Sequence, residues 1–136
     1  MYERREFLAL AGAAAIAPLA SREGSDQTTA VGGTMYGLIG RVNCVPGQRG
    51  ALAALLLDGT GGMPGCLSYV IAADSADADA LWITEVWDSQ ASHQNSLSLP
   101  AVQAAIAKGR PMIAGFSNRV ETVPLGGSGL PKPPQR

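Results

Sequence analysis

Histidine and cysteine are nearly missing from this chain of 136 residues, which has a single His at 93 and two Cys at 44 and 66. With no Cys-x-x-Cys and no His-x-x-x-His pair, the sequence holds neither a metal-ligand cluster at recognisable spacing nor a dithiol redox motif. An excess of either charge is also lacking. Ten Lys plus Arg stand against eleven Asp plus Glu, and the basic residues form no stripe, so nucleic acid is not expected as a partner. No apolar run reaches the ~20 residues of a membrane-spanning helix. The longest, Phe7 to Ala20, contains Pro18 and stops at the polar Ser21-Arg22-Glu23.

What precedes that run gives it a different meaning. Glu3-Arg4-Arg5-Glu6-Phe7-Leu8 followed by Ala9 to Ala20 resembles the twin-arginine export signal of bacteria, which carries folded proteins across the inner membrane. The other reading of the segment is an ordinary buried helix. On the export reading, residues 1–33 are signal and polar spacer, the membrane is met only in transit, and the protein works in the periplasm or outside the cell. About 90 residues then remain for one small domain, 34–124, which is little for a private core. A sheet with a second apolar face to hide makes a homodimer the structural expectation. Residues 125–136, with Gly126-Gly127-Ser128-Gly129 and Pro131-Lys132-Pro133-Pro134, have too little apolar content to pack and are expected to be a disordered tail.

Within the domain, Thr34 to Cys44 reads as a strand stopped by Pro46-Gly47. Gln48 to Asp58 reads as a helix with Leu52, Leu55 and Leu56 on one face, ended by Gly59-Thr60-Gly61-Gly62. Cys66 to Ala73 and Ala80 to Asp88 form a hairpin around the polar turn Asp74 to Asp79. Asp88-Ser89 suits a helix cap, Pro100 suits the first turn of another helix carrying Val102, Ala105, Ile106 and Gly109, and Ser117 to Val123 supplies the last strand after Pro111 and Gly115. This order is the ferredoxin-like βαββαβ plan, an α+β sandwich with helices on one face of an antiparallel sheet. The end of the first strand and the start of the second are expected at the same sheet edge with the third strand between them. That would hold Cys44 and Cys66 about 9 to 10 Å apart and leave both as free thiols.

The run Ile83-Thr84-Glu85-Val86-Trp87-Asp88-Ser89-Gln90-Ala91-Ser92-His93, continued by Leu97-Ser98-Leu99-Pro100-Ala101-Val102, resembles the antibiotic biosynthesis monooxygenase family. The Pro46-Gly47 turn and the Pro64-Gly65-Cys66 lead into the second strand are similar too, so the likeness spans Met35 to Val123. It implies a dimeric α/β barrel and, as activity, cofactor-independent oxidation of a quinol or polycyclic phenol by molecular oxygen. An electron-rich phenolate can reduce oxygen without metal or flavin, so deprotonation is the step a protein assists.

Glu85 and Trp87, two apart on a strand, share a face. Glu85 is a candidate base or an orienter of His93, and Trp87 a stacking surface and N–H donor; salt-bridge and core roles are the respective alternatives. His93, the sole histidine, is the candidate for exchanging a proton near neutral pH, or else a solvated helix residue. Tyr36, Asn43 and Leu97 complete the expected substrate contacts; Tyr36 and Tyr69 are read as lining the cavity or the sheet interface, Arg41 as a polar group near the end of the first strand, Arg119 as an anion stabiliser or a surface residue, and Trp82, on the opposite face to Trp87, as packing. Two positions depart from the family pattern. Leu97 stands where some members carry a histidine, and Gly40 where haem-degrading members carry an asparagine, which argues against haem degradation. A catalytically silent dimer that binds a small apolar molecule is the alternative function.

Overall fold

The computed structural model describes residues 34–132; the signal reading of residues 1–33 and the last four residues of the expected tail lie outside them. Four strands and three helices follow in the order β1 (Tyr36–Cys44), α1 (Arg49–Gly59), β2 (Cys66–Ala73), β3 (Ala80–Trp87), α2 (Gln90–Ser96), α3 (Pro100–Gly109) and β4 (Ile113–Thr122), with a short 3-10 turn at Arg110–Met112 before β4. All pairings are antiparallel in the sheet order β2-β3-β1-β4, the ferredoxin-like arrangement, and the helices cover one face.

Alternation decides what each strand buries. Leu38, Val42 and Cys44 of β1 and Leu81, Ile83, Glu85 and Trp87 of β3 turn toward the helices, while Arg41, Asn43, Trp82 and Thr84 turn to the other face. Under the helices one cluster joins Val42, Leu52, Leu56, Leu81, Ile83 and Ile113, and a second joins Tyr36, Leu38, Met63, Trp87, Val102 and Ile106. Leu52 is wholly buried, the product of the narrow aliphatic face of α1. On α3 the buried residues are Val102, Ala105, Ile106 and Gly109, the periodic set of the sequence. Ser89 caps α2 by accepting from the Ser92 N–H, and Gly65, at φ +83°, makes the turn into β2 where a Cβ would strike Ser92 and Asp88.

Three expectations need correction. β4 begins at Ile113 rather than Ser117: Pro111 lies in the 3-10 turn, and Gly115 pairs with Asn43 inside the strand instead of ending anything. The cysteines are not at one edge. β1 and β2 are both antiparallel to β3 and hence parallel to each other; Cys44 takes its N–H bond at Asp79 while Cys66 pairs with Trp87 at the far end of β3, about 25 Å along the strand direction. Both are free thiols, as expected, but for that reason, and burial pushes both up from the ordinary thiol range. Third, Asn43 leaves the helix-covered face altogether; it accepts from Arg41 and donates to Ser117 Oγ at 3.4 Å on the open one.

The open face divides by chemistry. At the hairpin end Arg41 reaches Asp77 at 2.8 Å, Trp82 Nε1 donates to Asp74 Oδ2 at 2.8 Å, and Arg49 donates to the carbonyls of Asp74 and Asp77. Nearer the middle, Val70, Thr84, Ile39 and Val120 stand in one row across all four strands, with Val70 and Val120 about half exposed.

Candidate active site

Between the sheet and the helical layer lies a partly open, apolar cavity of about 50 Å³. Leu56, Val102, Ala105, Ile106, Ile113 and Phe116 supply much of its wall, and Leu97, at the end of α2, adds to it. Five polar side chains also line it: Thr60, Tyr69, Glu85, His93 and Ser96.

Glu85 and His93 are brought together from the two elements the sequence singled out. β3 presents Glu85 inward, and α2, fixed by its Ser89 cap, presents His93 to the same point, with His93 Nε2 3.7 Å from Glu85 Oε1. Both are buried, at 5 % and 1 % exposure. The gap is longer than a hydrogen bond, and Glu85 Oε1 already accepts from Trp87 Nε1 at 2.9 Å. His93 Nδ1 is buried with no partner.

Burial sets the charges of this pair. It raises the Glu85 carboxyl from 4.5 to about 7, partly countered by the Trp87 hydrogen bond and the positive charge of Arg119. It lowers His93 to about 4, helped by Arg119 and opposed by Glu121. Of the two candidates for proton exchange, the shifts favour Glu85 as the group that changes charge near neutral pH, with the His93 imidazole held neutral.

The other candidates are placed differently. Trp87 is 1 % exposed and packed in the second cluster; it lies outside the cavity wall, edge-on to His93 at 5.4 Å between ring centres, and acts on the site through its bond to Glu85 rather than as a stacking surface. Tyr36 sits 5.2 Å from the His93 ring, outside the wall as well, its hydroxyl donating to Glu121 Oε2 at 2.7 Å. Burial and that carboxylate hold its pKa above the usual tyrosine range. Asn43, on the open face, contributes nothing to the cavity. Arg119 follows Asn118, which takes a positive φ of 53° at an irregularity in the β1–β4 ladder opposite Gly40, and its Nη2 lies 3.4 Å from Glu121. Sequence reasoning left the role of Tyr69 open and missed Met63 and Phe116; alternation along β2 was the available signal for Tyr69. Among the described residues, no group of three or more His, Cys, Asp or Glu converges as a metal would need.

Residues 35–108, which carry Glu85, Trp87 and His93, match the family described as antibiotic biosynthesis monooxygenase. The chain belongs to the antibiotic biosynthesis monooxygenase family. A solved structure from Chloroflexus aurantiacus J-10-fl, described as a candidate antibiotic biosynthesis monooxygenase, is similar at 61 % identity and TM-score 0.70, covering 72 % of this chain and all of that one. A Caulobacter crescentus CB15 protein of like description shares 20 % identity at TM-score 0.57, over 67 % of this chain and 88 % of its own. A Pseudomonas aeruginosa protein shares 18 % at TM-score 0.62, over 70 % and 98 %. At those lower identities the likeness speaks for the fold alone. No curated protein matches the chain.

Proposed function

We propose that this antibiotic biosynthesis monooxygenase family member is a cofactor-independent monooxygenase that oxidises a quinol or polycyclic phenol with molecular oxygen. The observation that carries the reading is a buried carboxyl, Glu85, poised to change charge near pH 7 on the wall of an apolar cavity. Glu85 takes the proton of the substrate hydroxyl. The anion left behind passes an electron to oxygen, the two radicals combine, and one oxygen atom enters the ring system while the other leaves as water with two hydrogens from the substrate. The substrate is its own reductant, so no further electron source is needed. Neutral His93, with Nδ1 unpartnered, offers a second polar contact.

Size conditions this chemistry. A cavity of about 50 Å³ is smaller than the roughly 150 Å³ cavity known to take up benzene, so seating a ring wholly inside needs the lining side chains or α2 to move outward. The small cavity, together with Leu97 at a position where some relatives carry histidine, favours the second reading, a catalytically silent binder of a small apolar molecule. Oxygen uptake separates the two. Full-length protein given reduced menadione or an anthrone should exceed the buffer rate, and Glu85→Gln should lose ~10²-fold or more. If parent and variant both match buffer, the silent binder is the better account.

The same proposal includes a homodimer and export. The row Val70, Ile39 and Val120 on the open face supports pairing of two sheets. The Arg4-Arg5 pair supports twin-arginine transport, and replacing both with lysine should retain the protein in the cytoplasm.

A further inference from the structure

Of the five polar side chains on the cavity wall, two are spent on backbone. Thr60 Oγ1 donates to the Leu56 carbonyl and Ser96 Oγ to that of His93, both at 2.6 Å. Glu85 and His93 form the proton site already described. That leaves Tyr69, whose hydroxyl has no hydrogen-bond partner among the described residues. It stands on β2 directly opposite Glu85, on the same face of the sheet, at a spacing that brings the two Cβ atoms to about 5 Å. Burial, then the charges of Glu85 and Cys66, raise its pKa well above the ordinary value, so the group is an O–H donor at any working pH.

The proposed proton transfer creates a need on that side of the cavity. When the guest's O–H bond breaks and the proton moves to the Glu85 carboxylate, the electron pair stays on the guest oxygen, in a wall that is otherwise apolar. The new carboxyl O–H returns one hydrogen bond to that oxygen, whose remaining lone pairs still need a donor, and Thr60 and Ser96 have already committed their hydroxyl protons. The geometry points to Tyr69 as the donor that receives the guest's oxyanion, and to a ligand with an ionisable hydroxyl, a phenol or enol, as the chemical class that fits this wall. This inference rests on the reading of Glu85 as the base. Donors aimed at charge that develops during reaction are among the largest contributors to catalysis.

The probe is 4-nitrophenol, a single-ring phenol whose anion absorbs visible light. Bound to the full-length protein, its hydroxyl should ionise about one pH unit lower than when bound to Tyr69→Phe, because the lost hydrogen bond is made to a charged oxygen. Phenylalanine keeps the ring and removes a hydroxyl without a protein partner, so the melting temperature should hold, and is measured alongside. With reduced menadione, Tyr69→Phe should lose ~10- to 100-fold in kcat with KM nearly unchanged. Equal ionisation of the bound probe in both proteins, or failure of the parent to bind it, overturns the assignment. A parent that ionises the bound probe about one pH unit lower than Tyr69→Phe does, but consumes no oxygen, upholds Tyr69 as the oxyanion donor and removes the oxidation reading alone.

Discussion

The opposite shifts of Glu85 and His93 make the pH dependence of stability a direct test of the buried pair. Glu85 ionises at about 7 in the folded protein against 4.5 unfolded, so the native state holds an extra proton between those limits, and its contribution declines as pH rises through that window. His93, at about 4 against 6.5, does the reverse: the native state holds one proton fewer, and stability declines as pH falls from 6.5 toward 4. Each shift corresponds to about 3 kcal/mol. From about pH 4.5 to 6.5 the two slopes cancel, and the parent should be nearly flat in these contributions. Single substitutions uncover them. Glu85→Gln leaves only the histidine term, so its stability relative to the parent should rise by about 3 kcal/mol between pH 4.5 and 7.5. His93→Asn leaves only the carboxyl, and relative to the parent it should gain by a similar amount as pH falls from 7 to 4.5. Urea unfolding at half-unit steps, at fixed protein concentration, reads both from midpoints and slopes. The carboxylates Asp74, half-buried, and Asp77, exposed, held low by their hydrogen bonds, are common to all three proteins and drop out of the differences. If the Glu85→Gln curve runs parallel to the parent within about 0.5 kcal/mol, the carboxyl is not buried in the folded state and the proton site described above does not exist.

Three other substitutions probe the surroundings. Trp87→Phe removes the donor that opposes burial at Glu85, and should move the carboxyl upward by about one pH unit, read from the same urea series. Gly59→Ala places a Cβ 2.8 Å from that of Ala105 where α1 meets α3, and should lower the melting temperature by roughly 5 °C despite the better helix propensity of alanine. Leu97→Ala enlarges the cavity from a half-buried position: it should cost about 1–2 kcal/mol of stability and tighten binding of a single-ring phenol, measured by calorimetry.

The elements that were legible are those with sharp punctuation. β2 starts and stops where Gly65 and Asp74 said it would, and Ser89 caps α2 because it follows directly on the last residues of β3. β4 was misjudged because Pro111 and Gly115 were weighed as breakers, whereas a 3-10 turn takes the first and a half-exposed strand near a sheet edge tolerates the second. Asn43 was a failure of arithmetic: seven residues from Tyr36, it cannot share its face on one strand, and β1 contains no irregularity to change that. The relation of Cys44 to Cys66 was likewise implicit in the topology, since two strands antiparallel to a third run the same way. Glu85 and His93 were both legible as candidates for proton exchange, but the direction in which each is shifted was not. It depends on how far each group is withdrawn from water, a property of the packed helices rather than of sequence spacing.

The mismatch between a 50 Å³ hollow and a planar ring bears on how tightly this protein can hold its guest. On the proposed function, a ring seated wholly inside requires an expanded form, and its measured dissociation constant is then the intrinsic one divided by the fraction of molecules expanded before binding. Every 1.4 kcal/mol spent on widening weakens observed affinity tenfold. On that reading, weak retention and slow capture of the ring follow from the resting shape, and a variant that rests open would bind it better while holding Glu85 and His93 less firmly.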